Sequence, residues 1–163
     1  MKMSIAIPCY EYNGRGVRYL SELFHSIQRQ TLKDVEVVVS DQSNDDEIQS
    51  FCFDNIFDLN IAYYRNKNGR GNAALNTNAA MEICKGEVVK LIYMDDFFYA
   101  DDALQKTYDA LMNSDKMWLV CGTNHTRDEG RTFDHPIYPR WNDRMLKARG
   151  NNTMSGTSVI SYR

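Results

Sequence analysis

The sequence predicts an α/β protein of three layers, α/β/α, built around a mostly parallel sheet. Three observations predict it. Short apolar runs alternate along the chain with segments whose apolar residues recur every three or four positions. The clearest of the runs is continuous and β-branched, as in strands buried on both faces. Polar, glycine-bearing or acidic stretches follow the runs, where loops at strand ends would lie.

Met3 to Ile7 is the first strand, stopped by Pro8. Asn13-Gly14-Arg15-Gly16 leads into a helix whose Val17, Leu20, Leu23, Phe24 and Ile27 share one apolar face. Val35 to Val39 is the second strand. Ser40 to Asp46 breaks it and supplies N-cap residues for a helix bearing Ile48, Phe51, Cys52 and Ile56 on its inner face. Ile61 to Tyr64 reads as the third strand. The loop from Arg65 to Asn72 precedes an alanine-rich helix reaching about Cys84, with Lys85-Gly86 at its C-terminal end. Val88 to Tyr93 is the fourth strand. Asp101-Asp102 opens a helix with Leu104, Tyr108, Leu111 and Met112 inward, and Met117 to Cys121 is a fifth strand. From Thr123 to Asn152 the pattern weakens into a polar, proline-bearing region with Trp141, and Thr157 to Ser161 is a last strand-like run. No repeat, low-complexity tract or linker divides the chain, so residues 1–163 read as one domain.

With 163 residues the chain can bury a real core, and 43% hydrophobic with 25% charged residues is ordinary for a globular protein. The formal net charge of -3, without a lysine or arginine block, argues against nucleic acid as a partner. No apolar run approaches about 18 residues, so no membrane span is expected. The opening MKMSIAIPCY is too short in its apolar part for a signal peptide. Cys9, Cys52, Cys84 and Cys121 form no CxxC pair, and His25, His125 and His135 stand at no metal-ligand spacing to them. Zinc is not expected; buried free thiols fit a reducing, cytoplasmic setting.

The chemistry concentrates at Tyr93-Met94-Asp95-Asp96, two adjacent carboxylates after an apolar strand. Such a pair wants a divalent cation, a basic partner or water. In an open α/β sheet, ligands bind in the crevice beyond the carboxyl ends of the strands. The competing reading is an acidic turn that faces solvent and caps the next helix. Two other polar loops, Pro8 to Asn13 and Ser40 to Asp46, belong on the same rim, with the glycine-rich basic loop 65–72 at a helix start. Together these look like a site for a nucleotide diphosphate.

The ordered motifs resemble the nucleotide-sugar-dependent glycosyltransferases of family 2, which share the GT-A fold. Pro8-Cys9-Tyr10 is similar to their opening P-x-Y-N. Gln30 to Ser43, QTLKDVEVVVSDQS, is similar to Q-T-x-x-D-x-E-V-I-V-V-D-D-G-S. Asn68 to Asn76, followed by Ala80 and Lys85-Gly86-Glu87, is similar to N-x-G-x-x-x-A-R-N … A-x-G-E. Tyr93 to Asp96 stands at their D-x-D-type metal motif, and Gly150 to Val159 resembles a segment found before the acceptor half of some members.

The resemblance implies a sugar donor carrying a nucleotide diphosphate, typically uridine, and a saccharide or other hydroxyl acceptor. It implies transfer with inversion and a manganese or magnesium ion (Mn2+ or Mg2+). Asp41 matches the aspartate that accepts a hydrogen bond from the base; the bare residues leave it as a helix cap instead. Pro8, Cys9 and Tyr10 match the loop along the nucleoside, though Tyr10 alone also reads as an ordinary half-buried aromatic. Gly71 and Asn72 match the backbone that approaches the nucleotide. Asn76 matches the motif asparagine, with a structural hydrogen bond the alternative. Arg70 is a phosphate contact or an exposed loop cation. Asp96 matches the metal ligand, with Met94 and Asp95 beside the donor.

Departures accompany the match. Tyr93 replaces the first aspartate of the longer metal motif, Glu11 replaces an asparagine, and Ser40 and Gln42 replace parts of D-D-G-S. The family places its catalytic base in the acceptor half; Asp128, Glu129, Asp134 and Asp143 read as solvated loop charges, so no residue is assigned as base. Residues 1–121 therefore read as the nucleotide-binding half and 122–163 as a short or truncated acceptor side. A glycosyltransferase leads, with a non-catalytic nucleotide-sugar-binding remnant or partner-dependent half as the alternative; homo-oligomerisation stays open. A sugar-phosphate nucleotidyltransferase ranks last, since Gly14-Arg15-Gly16 is only a faint triphosphate loop.

Overall fold

A computed structural model describes residues 1–126 and 160–163. Its strands are β1 (Met3–Cys9), β2 (Val35–Asp41), β3 (Ile61–Arg65), β4 (Val88–Leu91), β5 (Trp118–Val120) and β6 (Ile160–Tyr162). Its helices are α1 (Gly16–Gln28), α2 (Glu47–Asp54), α3 (Ala73–Glu82) and α4 (Ala103–Met112). The sheet order is β3-β2-β1-β4-β6-β5. The first four strands are parallel, and β6 runs antiparallel between β4 and β5. The mostly parallel α/β fold is as expected; the antiparallel insertion is the addition.

Both faces of the sheet are covered, which is why β1 is buried at every position. Met3, Ile5, Ile7 and Cys9 pack with Leu20, Leu23, Phe24 and Ile27 of α1, Ile48 and Cys52 of α2, and Leu104 and Leu111 of α4. On the opposite face Ala6, Val89 and Leu91 meet Ala80 of α3. The period-two alternation of strand side chains thus sorts one continuous apolar run into two cores.

Several boundaries move for local reasons. Asn55 adopts φ 41° and closes α2, so Ile56 falls outside the helix and is 72% exposed instead of inward. Met112 ends α4 and is exposed, not buried. Strand β4 stops at Leu91; the Ile92 N–H still reaches Ala6 O at 3.1 Å, and the chain turns at Tyr93. Residues 127–159, which include Trp141, Asp128, Glu129, Asp134, Asp143 and the Gly150 to Val159 segment, lie outside the described residues.

Two polar clamps fix the loops that matter. Glu36, buried in β2, accepts the Lys85 N–H at 2.7 Å and the Ser4 hydroxyl, while Ser4 Oγ accepts the Gly86 N–H at 2.7 Å. A Cβ on Gly86 would sit 2.5 Å from Ser4 N and 2.6 Å from Met3 C, so only glycine allows this approach. The D-x-E and K-G-E segments are therefore a structural pair. Gln30, fully buried, donates to Ser26 O and Ala100 O and accepts the Leu104 N–H. Ser26 Oγ accepts the Phe98 N–H. Together they anchor the segment that follows the acidic pair.

In strand order, β1 leads to β2 and β3 on one side and β4 lies on its other side. The crevice above β1 and β4 is thus the topological switch point, where open α/β sheets bind ligands.

Candidate functional site

A cleft of about 550 Å3 opens at that switch point. The loop after β1 forms one wall with Pro8, Cys9 and Tyr10, joined by Tyr12, Arg15 and Tyr19. Gly71, Ala73 and Asn76 at the start of α3 form another. Tyr93, Met94 and Asp95 close a third side, and Gln42 lines the cleft from the end of β2.

The β1 loop is held by Glu11. Its carboxylate accepts the N–H groups of Arg15 at 3.0 Å and Gly16 at 2.6 Å, which caps α1, and its own N–H donates to Ser43 Oγ. A Cβ on Gly16 would lie 2.4 Å from Glu11 Oε2, so a side chain there would push the Glu11 carboxylate off this cap. The Arg15 guanidinium has no ionic partner among the described residues.

Asn76 is the keystone under the cleft floor. Its amide donates to Cys9 O at 2.9 Å and Ser40 O at 3.0 Å, and its Oδ1 accepts from Ser40 Oγ at 2.8 Å and Asn66 Nδ2 at 3.1 Å. One buried side chain thus ties the ends of β1 and β2 to the loop after β3. Asn72 caps α3 by accepting the Leu75 N–H at 3.1 Å. Gly71 has φ +78°, and the N–H groups of Gly71, Ala73 and Ala74 have no acceptor among the described residues. A helix start with free N–H groups favours anions.

Asp41 lies beneath the cleft and not on its surface. It is fully buried; Oδ1 accepts the Ser43 N–H at 2.8 Å and Oδ2 the Tyr63 hydroxyl at 2.7 Å, with Arg65 Nε 3.7 Å away. It does not cap α2, whose N-cap is Asp46. Burial, then the bond to Asp41, pushes the Tyr63 phenol up, so it remains a donor. Arg65 is also consumed locally by Ser43 O, Asp45 O and Asp46. Arg70, mostly exposed, donates to Ser43 O at 3.2 Å.

The acidic pair reaches two spaces. Asp95 lines the cleft and also a second hollow of about 440 Å3, which Asp96 lines with Lys90, Tyr99, Cys121 and His125. Burial pushes the Lys90 ammonium down, and the charges of Cys121 and Asp96 pull it back up. Among the described residues no group of three or more histidine, cysteine or acidic side chains gathers around a metal position. Two adjacent exposed carboxylates still suit magnesium or manganese, which take one or two carboxylates and complete their shell with phosphate and water.

Of the residues expected from the sequence, Pro8, Cys9, Tyr10, Gly71, Asn76, Met94 and Asp95 share the cleft. Asn72 stands between two lining residues, Asp41 lies below, and Asp96 lies in the adjoining hollow. Gln42 had appeared only as a motif departure, and its polar side chain at a strand end was the available signal. Tyr12 lies in the Pro8 to Asn13 loop expected on this rim, whereas Arg15 and Tyr19 belong to a helix approach whose spacing reveals nothing about a cleft.

Two buried thiols, Cys9 at the cleft and Cys52 on α2 in the core beneath it, are inert by environment. Burial first, then the charge of Asp41, moves Cys52 from 9.0 to about 12. Burial also raises Cys9 strongly. A thiol reagent at pH 8 is expected to spare Cys9 and Cys52 until the chain unfolds, as mass spectrometry of labelled peptides would read. Because the folded chain holds its Cys52 proton to about 12 and the unfolded chain releases it from 9.0 upward, stability is full below pH 9 and falls as pH rises toward 12. Denaturant midpoints across that range check the sign.

The family model for glycosyl transferase family 2 matches residues 4–162. An uncharacterized glycosyltransferase of Nostoc sp. is 30% identical over 176 residues, covering 100% of this chain and 51% of that protein. S. aureus TarS 1-349 in complex with UDP-GlcNAc superposes with TM-score 0.71 at 21% identity, covering 100% of this chain and 45% of that one. The mannosyltransferase PcManGT from Pyrobaculum calidifontis in complex with GDP-Man and Mn2+ gives TM-score 0.60 at 22% identity over 74% of this chain and 35% of that one. The chain spans about half the length of the curated relatives it matches.

Proposed function

The chain belongs to glycosyl transferase family 2, a family of transferases with the GT-A fold, and from that premise we propose that it moves a sugar from a UDP-linked donor to a hydroxyl acceptor with inversion. The observation that carries the reading is the convergence, on one cleft at the switch point, of aromatic walls, a helix start with free N–H groups and the carboxylate of Asp95.

Each part suits one part of a nucleotide-diphosphate sugar. Pro8, Cys9 and Tyr10 run along the nucleoside, and the tyrosine ring offers a face for the base. Gly71 and Asn72 bring backbone up to the diphosphate at the positive end of α3, and Asn76 supports them from below. Met94 and Asp95 border the ribose and sugar. Asp96, with Asp95, would hold a manganese or magnesium ion, which when bound neutralises charge on the departing diphosphate. The hollow beside Asp96 offers room on the acceptor side for a saccharide or other hydroxyl. Residues 1–121 then form the nucleotide-binding half and 122–163 part of the acceptor side. The free thiols fit a cytoplasmic setting, and no described helix is long and apolar enough to cross a membrane.

The test is direct. Incubation with UDP-sugars and Mn2+ should release UDP, with chelation by EDTA slowing release at least about tenfold. Binding without release across varied acceptors would instead favour a non-catalytic or partner-dependent half. Pyrophosphate from nucleotide triphosphate and sugar phosphate would contradict the transferase reading.

A further inference from the structure

The geometry points to Gln42 as the side chain that reads the nucleobase, through its Oε1 accepting a ring N–H of the base. The inference rests on the donor reading above and specifies its recognition step.

Gln42 is 1% exposed, yet it lines the cleft. Its amide orientation is fixed by its neighbours: Nε2 donates to Asn68 O at 2.6 Å and to Gly69 O at 3.2 Å, and its backbone N–H donates to Cys9 O at 3.0 Å. Two carbonyls facing one end of the amide leave a single assignment, with nitrogen toward them and oxygen away. Oε1 has no hydrogen-bond partner among the described residues. It is not sealed off either, since Ser161 Oγ is the one side-chain polar atom among them that is both buried and unpaired. A nearly buried amide therefore presents an unused acceptor, and no donor, to an open cleft.

An acceptor of this kind selects a ligand N–H, and an unpaired acceptor at a closed ligand interface is costly. Tyr10, Tyr12 and Tyr19 line the same cleft as Gln42 and supply ring faces on which a base can stack. The family pattern assigns base reading to the position of Asp41. Here that carboxylate is fully buried and engaged by Tyr63 and Ser43. Gln42, one residue on, stands where the pattern has glycine, so it brings a side chain to a position that has none in the pattern.

The probe is 3-methyluridine diphosphate, whose ring nitrogen carries no hydrogen, compared with UDP by calorimetry. Wild-type protein should bind the methylated nucleotide at least about tenfold more weakly. Gln42→Met removes the acceptor and should shrink that discrimination to about twofold or less. Gln42→Glu keeps an acceptor while losing the grip on Asn68 and Gly69, and should keep the discrimination even if overall affinity falls. Equal binding of the two nucleotides by wild type overturns the proposal without any variant. Discrimination unchanged in Gln42→Met also overturns it, leaving Gln42 as a tether for the 68–71 loop. Failure of wild type to bind UDP, GDP, CDP or ADP with Mn2+ would instead sink the donor reading beneath it.

Discussion

Asn76→Asp is expected to destabilise the chain by about 3 kcal/mol and to weaken nucleotide binding with it. The replacement is nearly isosteric, so the effect isolates the hydrogen bonds. An aspartate keeps the acceptor toward Ser40 Oγ and Asn66 Nδ2 but turns an oxygen toward Cys9 O and Ser40 O, where the amide now donates. Oxygen then faces oxygen in a site that is 3% exposed. The charge has no basic partner there, and a buried unpaired carboxylate costs several kcal/mol or takes up a proton. Urea denaturation at pH 7 reads the loss. Partial recovery at acid pH, where a protonated side chain can donate once, would tie the loss to this mechanism. A variant as stable as wild type would mean the strand ends are held by something other than this side chain.

Removing both carboxylates of the acidic pair, Asp95→Asn with Asp96→Asn, should leave the chain folded, because both are exposed, at the cost of the Asp96 charge that supports the buried Lys90 ammonium. Transfer should fall about a hundredfold to a thousandfold, the range lost when charge stabilisation of a transition state is removed. The metal dependence of UDP binding should vanish along with it. The single Asp96→Asn change should account for most of that dependence. If the double variant still binds UDP in a Mn2+-dependent way, the cation is held elsewhere and the assignment of Asp96 is wrong.

The parts of this molecule that depend on short stretches of sequence were legible. The run Val35 to Val39 had to be a buried strand, and Leu20, Leu23, Phe24 and Ile27 had to share a helix face. Asn72 before an alanine-rich segment announced the start of α3. What escaped depends on pairing between distant segments. The three-residue strand β6 slots antiparallel beside β4 from more than 60 residues away, and no local pattern encodes that register. The partners of Asp41, Tyr63 and Arg65, were not legible because they arrive only when β3 pairs alongside β2. Asp95 and Asp96 read as one unit because they are adjacent, and in the fold both border the second hollow while Asp95 alone also reaches the cleft, a difference that no local spacing announces. Gln42 was visible as a departure from a motif, but its meaning needed the two carbonyls that fix its amide.

The central claim is that the rim above β1 and β4 grips a nucleotide diphosphate. A crystal of the protein soaked with UDP and Mn2+ tests it most directly. The account predicts the base against Tyr10 and Gln42, the diphosphate at the N–H groups of Gly71 and Ala73, and the cation within bonding distance of Asp96 or Asp95. Nucleotide bound outside this cleft, or a cleft that stays empty while UDP binds elsewhere on the protein, would contradict it.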